Sequence, residues 1–230
     1  MNKKILIACL ATLALTAARA GDITFINPQF DVTGFASTSD GLDGFDSAVS
    51  PPTATPISAS ADSVGTFDVA TAGAIGAPGL LSTSADVTSG VEGLATATAL
   101  SHFAGSFVLG AAEPFVVVDF TPFTFESGSG DASTSLLVKL TSGATTLFSG
   151  NVSGSWGFKV NPGTTYLLDL TLSSQARAGF GDLIGEGNAS ATGVAAITSA
   201  VPLPGPWLLL LTGFGPLVAL KKRMARGREI

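Results

Sequence analysis

The chain has 230 residues, 46% of them hydrophobic and only 12% charged, and a formal net charge of −6. The charge is unevenly placed: between Gly21 and Ala200 three bases (Lys139, Lys159, Arg177) stand against sixteen acids, a balance of −13. That excludes a nucleic-acid partner, which needs a basic footprint to bind phosphate, and leaves the acids either to keep a polar-poor surface soluble or to attract cations.

Residues 1–20 read as a secretory signal peptide. Lys3 and Lys4 form the positive start, Ile5 to Ala17 the apolar run, and Ala18-Arg19-Ala20 a small-x-small cleavage site before Gly21. The one cysteine, Cys9, lies inside that apolar run. The mature chain therefore has no disulfide, no thiolate metal site and no cysteine nucleophile. Small secreted domains often lean on disulfides; this one must rely on its core or on bound ions. Residues 21–200 suffice for one domain, or two small ones.

Asp40 to Pro56 is dense in Gly, Asp, Ser and Pro and predicts a long loop. Within it, Asp40, Asp43 and Asp46 are spaced between glycines in an oxygen-rich stretch of the kind that suits Ca2+. The spacing is not that of an EF-hand. A solvated acidic loop is the plainer reading, and no other cofactor is expected.

Further along, the patterns favour strands. Leu80–Val87 and Leu94–Leu109 read as two or three weak ones. Phe115–Phe125 is the most hydrophobic internal run, and Pro122 within it suggests an edge strand or a bulge. Ser133–Leu140 follows. Thr145–Phe148 and Asn151–Ser153 supply another strand, with Gly143 and Gly150 as turn residues. Ser155–Val160 and Thr164–Ser173 are expected to pair as a hairpin about Asn161-Pro162-Gly163, which suits a type II turn. In the second of these, Tyr166, Leu168, Leu170 and Leu172 share one face, the period of a half-buried strand. Ala189–Thr198 closes the series. Short strands at this spacing predict a mainly β protein, an antiparallel β-sandwich or jelly-roll-like domain over residues 21–200. The alanine-rich stretches leave room for a short helix.

Residues able to carry catalysis are few. His102 is the only histidine, and no Gly-x-Ser-x-Gly elbow accompanies it; it reads as an ordinary strand residue. A secreted glycosidase needs a pair of acids. Glu113, Asp119 and Glu126 flank the apolar run, and Asp119 reads as the solvent face of an edge strand. A non-enzymatic protein is therefore expected. A carbohydrate-binding or adhesive surface module, held permanently by the C-terminal helix, is the alternative. Trp156 and Tyr166 are its only large amphipathic rings between the two signals, and Tyr166 falls on the inferred core face.

Residues 201–230 have three parts in a fixed order. Val201-Pro202-Leu203-Pro204-Gly205-Pro206 cannot sit inside a helix. Trp207 to Leu220 is uncharged, with Trp207 placed for a lipid–water boundary. Lys221, Lys222, Arg223, Arg226 and Arg228 follow and belong on the cytoplasmic side. The apolar run is shorter than the roughly 20 residues a comfortable transmembrane helix needs, and Pro216 with two glycines weakens it further. It reads as a marginal membrane anchor, a transient sorting signal, or a buried hairpin of a soluble domain.

These thirty residues resemble the PEP-CTERM sorting signal, with Leu203 where glutamate is usual, so the match is to a Val-Pro-Leu-Pro variant. The resemblance implies a substrate of an exosortase in a Gram-negative, exopolysaccharide-producing bacterium. The sorting motif would be Val201, Pro202, Leu203 and Pro204, held in the inner membrane by residues 207–220 and oriented by the basic tail. Cleavage would then release the domain to the cell envelope or the exopolysaccharide matrix.

Overall fold

In the computed structural model the described residues are 23–49, 55–90, 93–111, 114–179 and 186–200. The signal peptide with Ala18 and Ala20, the motif Val201–Pro204, Trp207, the basic residues Lys221, Lys222, Arg223 and Arg226, and Glu113 lie outside them. The described residues form strands and turns, with no helix among them.

Twelve strands follow one another: β1 (Phe25–Thr38), β2 (Gly44–Val49), β3 (Ile57–Val64), β4 (Asp68–Ala77), β5 (Leu80–Ser89), β6 (Ala95–Val108), β7 (Phe115–Gly128), β8 (Asp131–Ser142), β9 (Thr145–Val152), β10 (Ser155–Lys159), β11 (Thr165–Ala178) and β12 (Gly187–Ala200). They make two six-stranded sheets, ordered β2-β1-β6-β11-β8-β9 and β10-β7-β12-β5-β4-β3. Every pairing is antiparallel. The architecture is mainly β and sandwich-like, with inner faces that bury alternate residues, as a period of two requires.

Along the long strands the inward residues change size. In β6 the buried positions run Ala95, Ala97, Ala99, Ser101, then Phe103 and Phe107. In β11 they run the other way, from Tyr166, Leu168, Leu170 and Leu172 to Ser174, Ala176 and Ala178. Antiparallel pairing aligns these gradients, because Leu170 registers with Phe103 and Ala176 with Ala97. The core therefore divides along the strand axis. One end is built of Phe, Leu and Val, the other almost wholly of alanine. Buried hydroxyls lie between them: Ser101 donates to the Ile75 carbonyl at 2.9 Å, and Thr83 and Ser174 share a 2.7 Å bond from one sheet to the other.

The strands expected from Leu80 to Thr198 are present, most of them longer than expected, and Tyr166, Leu168, Leu170 and Leu172 are all buried. Pro122 lies in continuous register with Gly193, so there is no bulge. β10 covers β7 only from Phe115 to Asp119. Beyond that β7 is an edge, where a missing N–H costs no ladder bond on the open side.

Four expectations are corrected. Asp40–Pro56 is not one long loop, since Gly44–Val49 forms β2 against β1. The Asn161–Gly163 turn forms, with Thr164 N–H donating to the Asn161 carbonyl at 3.2 Å and Gly163 at φ +76°. It does not close a hairpin, however: β10 pairs with β7 in one sheet and β11 with β6 and β8 in the other. Gly150 is a strand residue, and the turn glycine is Gly154 at φ +77°. Finally, the alanine-rich stretches are strands. Alanine at every second position lets the two sheets come close, which the helix reading overlooked.

Candidate functional site

His102 is at the middle of β6, on the outer face of its sheet, and its neighbours in register are Asp31 on β1 and Thr171 on β11. Its Nδ1 lies 3.4 Å from Asp31 Oδ2, and its Nε2 lies 3.2 Å from Asp169 Oδ1. The imidazole thus bridges carboxylates on both flanking strands. Asp169 is the chief cause of its raised pKa, through the hydrogen bond; partial burial pulls the other way, and the charge of Asp169 and the bond and charge of Asp31 add to the rise. Nothing local in the sequence marks Asp31 or Asp169. Each is an outward-facing acid inside an apolar strand, Phe30-Asp31-Val32 and Leu168-Asp169-Leu170, and only strand order brings the two to one histidine.

The alanine end carries a second polar cluster. Asp68 opens β4, is 2% exposed, and accepts through Oδ2 from the Ser39 hydroxyl at 2.7 Å, the Leu94 amide at 2.9 Å and the Ser39 amide at 3.3 Å. It thereby ties the β1–β2 and β5–β6 connections to β4. Its Oδ1 has no hydrogen-bond partner and crowds Gly93, where no side chain would fit. Nearby, Asp40 takes the Thr66 amide on both oxygens at 3.0 Å, and the Thr66 hydroxyl and amide hold it below the usual carboxylate range.

The three calcium candidates go to different places. Asp40 caps Thr66, Asp46 accepts the Ser60 amide of β3 at 2.9 Å, and Asp43 is exposed. Among the described residues no group of three or more His, Cys, Asp or Glu side chains is arranged to hold a metal ion. Asp46 instead caps an amide on the β3 edge strand, across from β2 in the other sheet.

Of the remaining candidates, Asp119 is exposed and has Ser155 and Ala196 on either side, so it faces solvent from a strand paired on both sides. Glu126 accepts the Ala132 amide at 2.9 Å across the β7–β8 connection. Trp156 is not an open platform. Its ring lies 4.8 Å from Phe148 and 6.0 Å from Phe158, closing the gap between the edge strands β9 and β10 against the large-residue core. Tyr166 is buried as expected, stacks on Phe107, and its hydroxyl accepts the Asn161 amide at 2.9 Å.

No protein-family model matches the chain, and a search of curated proteins finds no relative.

Proposed function

We propose that this is an exported, non-enzymatic cell-surface or extracellular-matrix protein, sorted through its last thirty residues by an exosortase-like membrane protease. The observation that carries the reading is the order of the tail: the proline block Val201–Pro204, the short uncharged run Trp207–Leu220, then Lys221, Lys222, Arg223 and Arg226. The signal peptide at residues 1–20 supplies the route out, with cleavage after Ala20. The partners are the sorting protease, the inner membrane and the exopolysaccharide around the cell. Co-expression with an exosortase followed by mass analysis of the exported protein should give a new C-terminus near Pro204. An exported chain that still ends at Ile230 would refute sorting.

A further inference from the structure

The contacts of His102 impose a condition on its protonation state. A neutral imidazole carries one N–H; the other ring nitrogen is then an acceptor. Here both nitrogens face carboxylate oxygens, at 3.4 Å and 3.2 Å, and a carboxylate offers only lone pairs. Only the imidazolium satisfies both contacts. In the neutral form one nitrogen lone pair is left facing a negative oxygen.

We propose that Asp31, His102 and Asp169 form a proton-operated clamp across β1, β6 and β11, closed by two charge-assisted bonds when the imidazole is charged and weakened when it is neutral. The clamp spans the three consecutive strands at the middle of the β2-β1-β6-β11-β8-β9 sheet. Its side chains are 28%, 39% and 37% exposed for His102, Asp31 and Asp169, so the external medium sets the protonation state while solvent screens the ion pairs.

Other charges near the clamp are few. β6 carries none besides His102, and β1 presents only Asp31. On β11 there is Asp169, and beyond it on β8 lies Lys139, its partner in register.

The direction of the pH effect follows from linkage. Folding raises the pKa of His102 above its ordinary 6.5. The added stability is therefore fully present below about pH 6.5, the unfolded value, and is lost as pH rises through the higher folded value. The clamp tightens in acid and slackens in alkali.

The test uses the full chain purified without a histidine tag, so that His102 remains its only imidazole. Thermal unfolding at pH 6 and pH 8.5 should show a higher midpoint at pH 6. The difference should exceed that of His102→Gln by roughly 2–4 °C in a domain of this size. Asp169→Asn should remove more of the difference than Asp31→Asn, because its contact is the shorter. Equal pH slopes in the wild type and His102→Gln would overturn the proposal. A second reading needs no variant: the imidazole Cε1–H resonance of the folded chain should titrate with a midpoint above 6.5, and a midpoint at or below 6.5 would overturn the clamp just as firmly.

Discussion

At one end of the sandwich Phe30, Phe103, Phe107, Leu168 and Leu170 hold the sheets apart, all of them fully buried. At the other end a methyl group placed on Gly34 of β1 would lie 3.1 Å from the Ala72 carbonyl oxygen of β4 and 3.4 Å from the Ala61 methyl of β3. There the sheets meet almost backbone to backbone. The large residues gain most from leaving water, about 1.5–3 kcal/mol for each fully buried Leu, Val or Phe, against about 0.8 for a buried methyl-sized group. The alanine end gains less per side chain and relies on close fit, where many weak dispersion contacts are lost together if the sheets separate. The same fold is thus stabilised mainly by buried area at one end and by fit at the other.

Truncation and enlargement should therefore have opposite consequences at the two ends. The largest effect is expected from truncating the wide end. Phe103 packs against Phe25 at 4.7 Å and Phe30 at 5.3 Å between ring centres, and Phe103→Ala should cost about 3–5 kcal/mol in urea unfolding. A loss under about 1 kcal/mol would mean that the core collapses freely around the gap, so that its size is not fixed by its rings.

The second effect is the reverse experiment at the narrow end. Ala72→Leu adds three carbons where the facing strand offers only Gly34, and should cost at least the 1–3 kcal/mol typical of overpacking. A neutral result would show that the sheets spread apart at little cost, and the distinction between the ends would fall.

The wide end was largely legible from sequence. Tyr166, Leu168, Leu170 and Leu172 alternate with Leu167, Asp169 and Thr171, and Phe115–Phe125 is too apolar to overlook. The narrow end was not. β3 (Ile57–Val64) and β4 (Asp68–Ala77) keep the same period of two through Ala59, Ala61 and Ser63 and through Ala70, Ala72 and Ala74. Alanine, serine and glycine differ too little in hydrophobicity for that alternation to stand out, and alanine also favours helices. In β1 Phe30, Val32, Gly34 and Ala36 alternate, but Gly34 on the inner face and Phe35 on the outer face dilute the signal. Pairing was less legible still. Asn161-Pro162-Gly163 predicts a turn correctly, but turn chemistry does not say whether the chain returns to the same sheet. The His102 site depends wholly on that kind of information, since Asp31 and Asp169 are 71 and 67 residues from it in sequence.

The smallest effect concerns the seam where the two ends meet. Thr83 of β5 bonds Ser174 of β11 at 2.7 Å, and Ser174 donates to Thr134 of β8 at 3.2 Å, which donates in turn to the Ser173 carbonyl at 3.1 Å. Gly193 of β12 faces the same spot, where a side chain would meet Thr134, Leu172 and Thr83. If these hydroxyls are only mutual partners in a place too narrow for leucine, the cost of removing one comes mainly from stranding the other. Ser174→Ala should then lose about 1 kcal/mol, because it leaves the Thr83 hydroxyl buried without its bond. Thr83→Val with Ser174→Ala should cost less than the sum of the two single changes, by at least about 0.5 kcal/mol, as expected for neighbours that share one interaction. Strict additivity would mean that the bond between the sheets is not formed in solution. The polar joint between the two ends would then rest on Ser101, which donates to the Ile75 carbonyl of the other sheet.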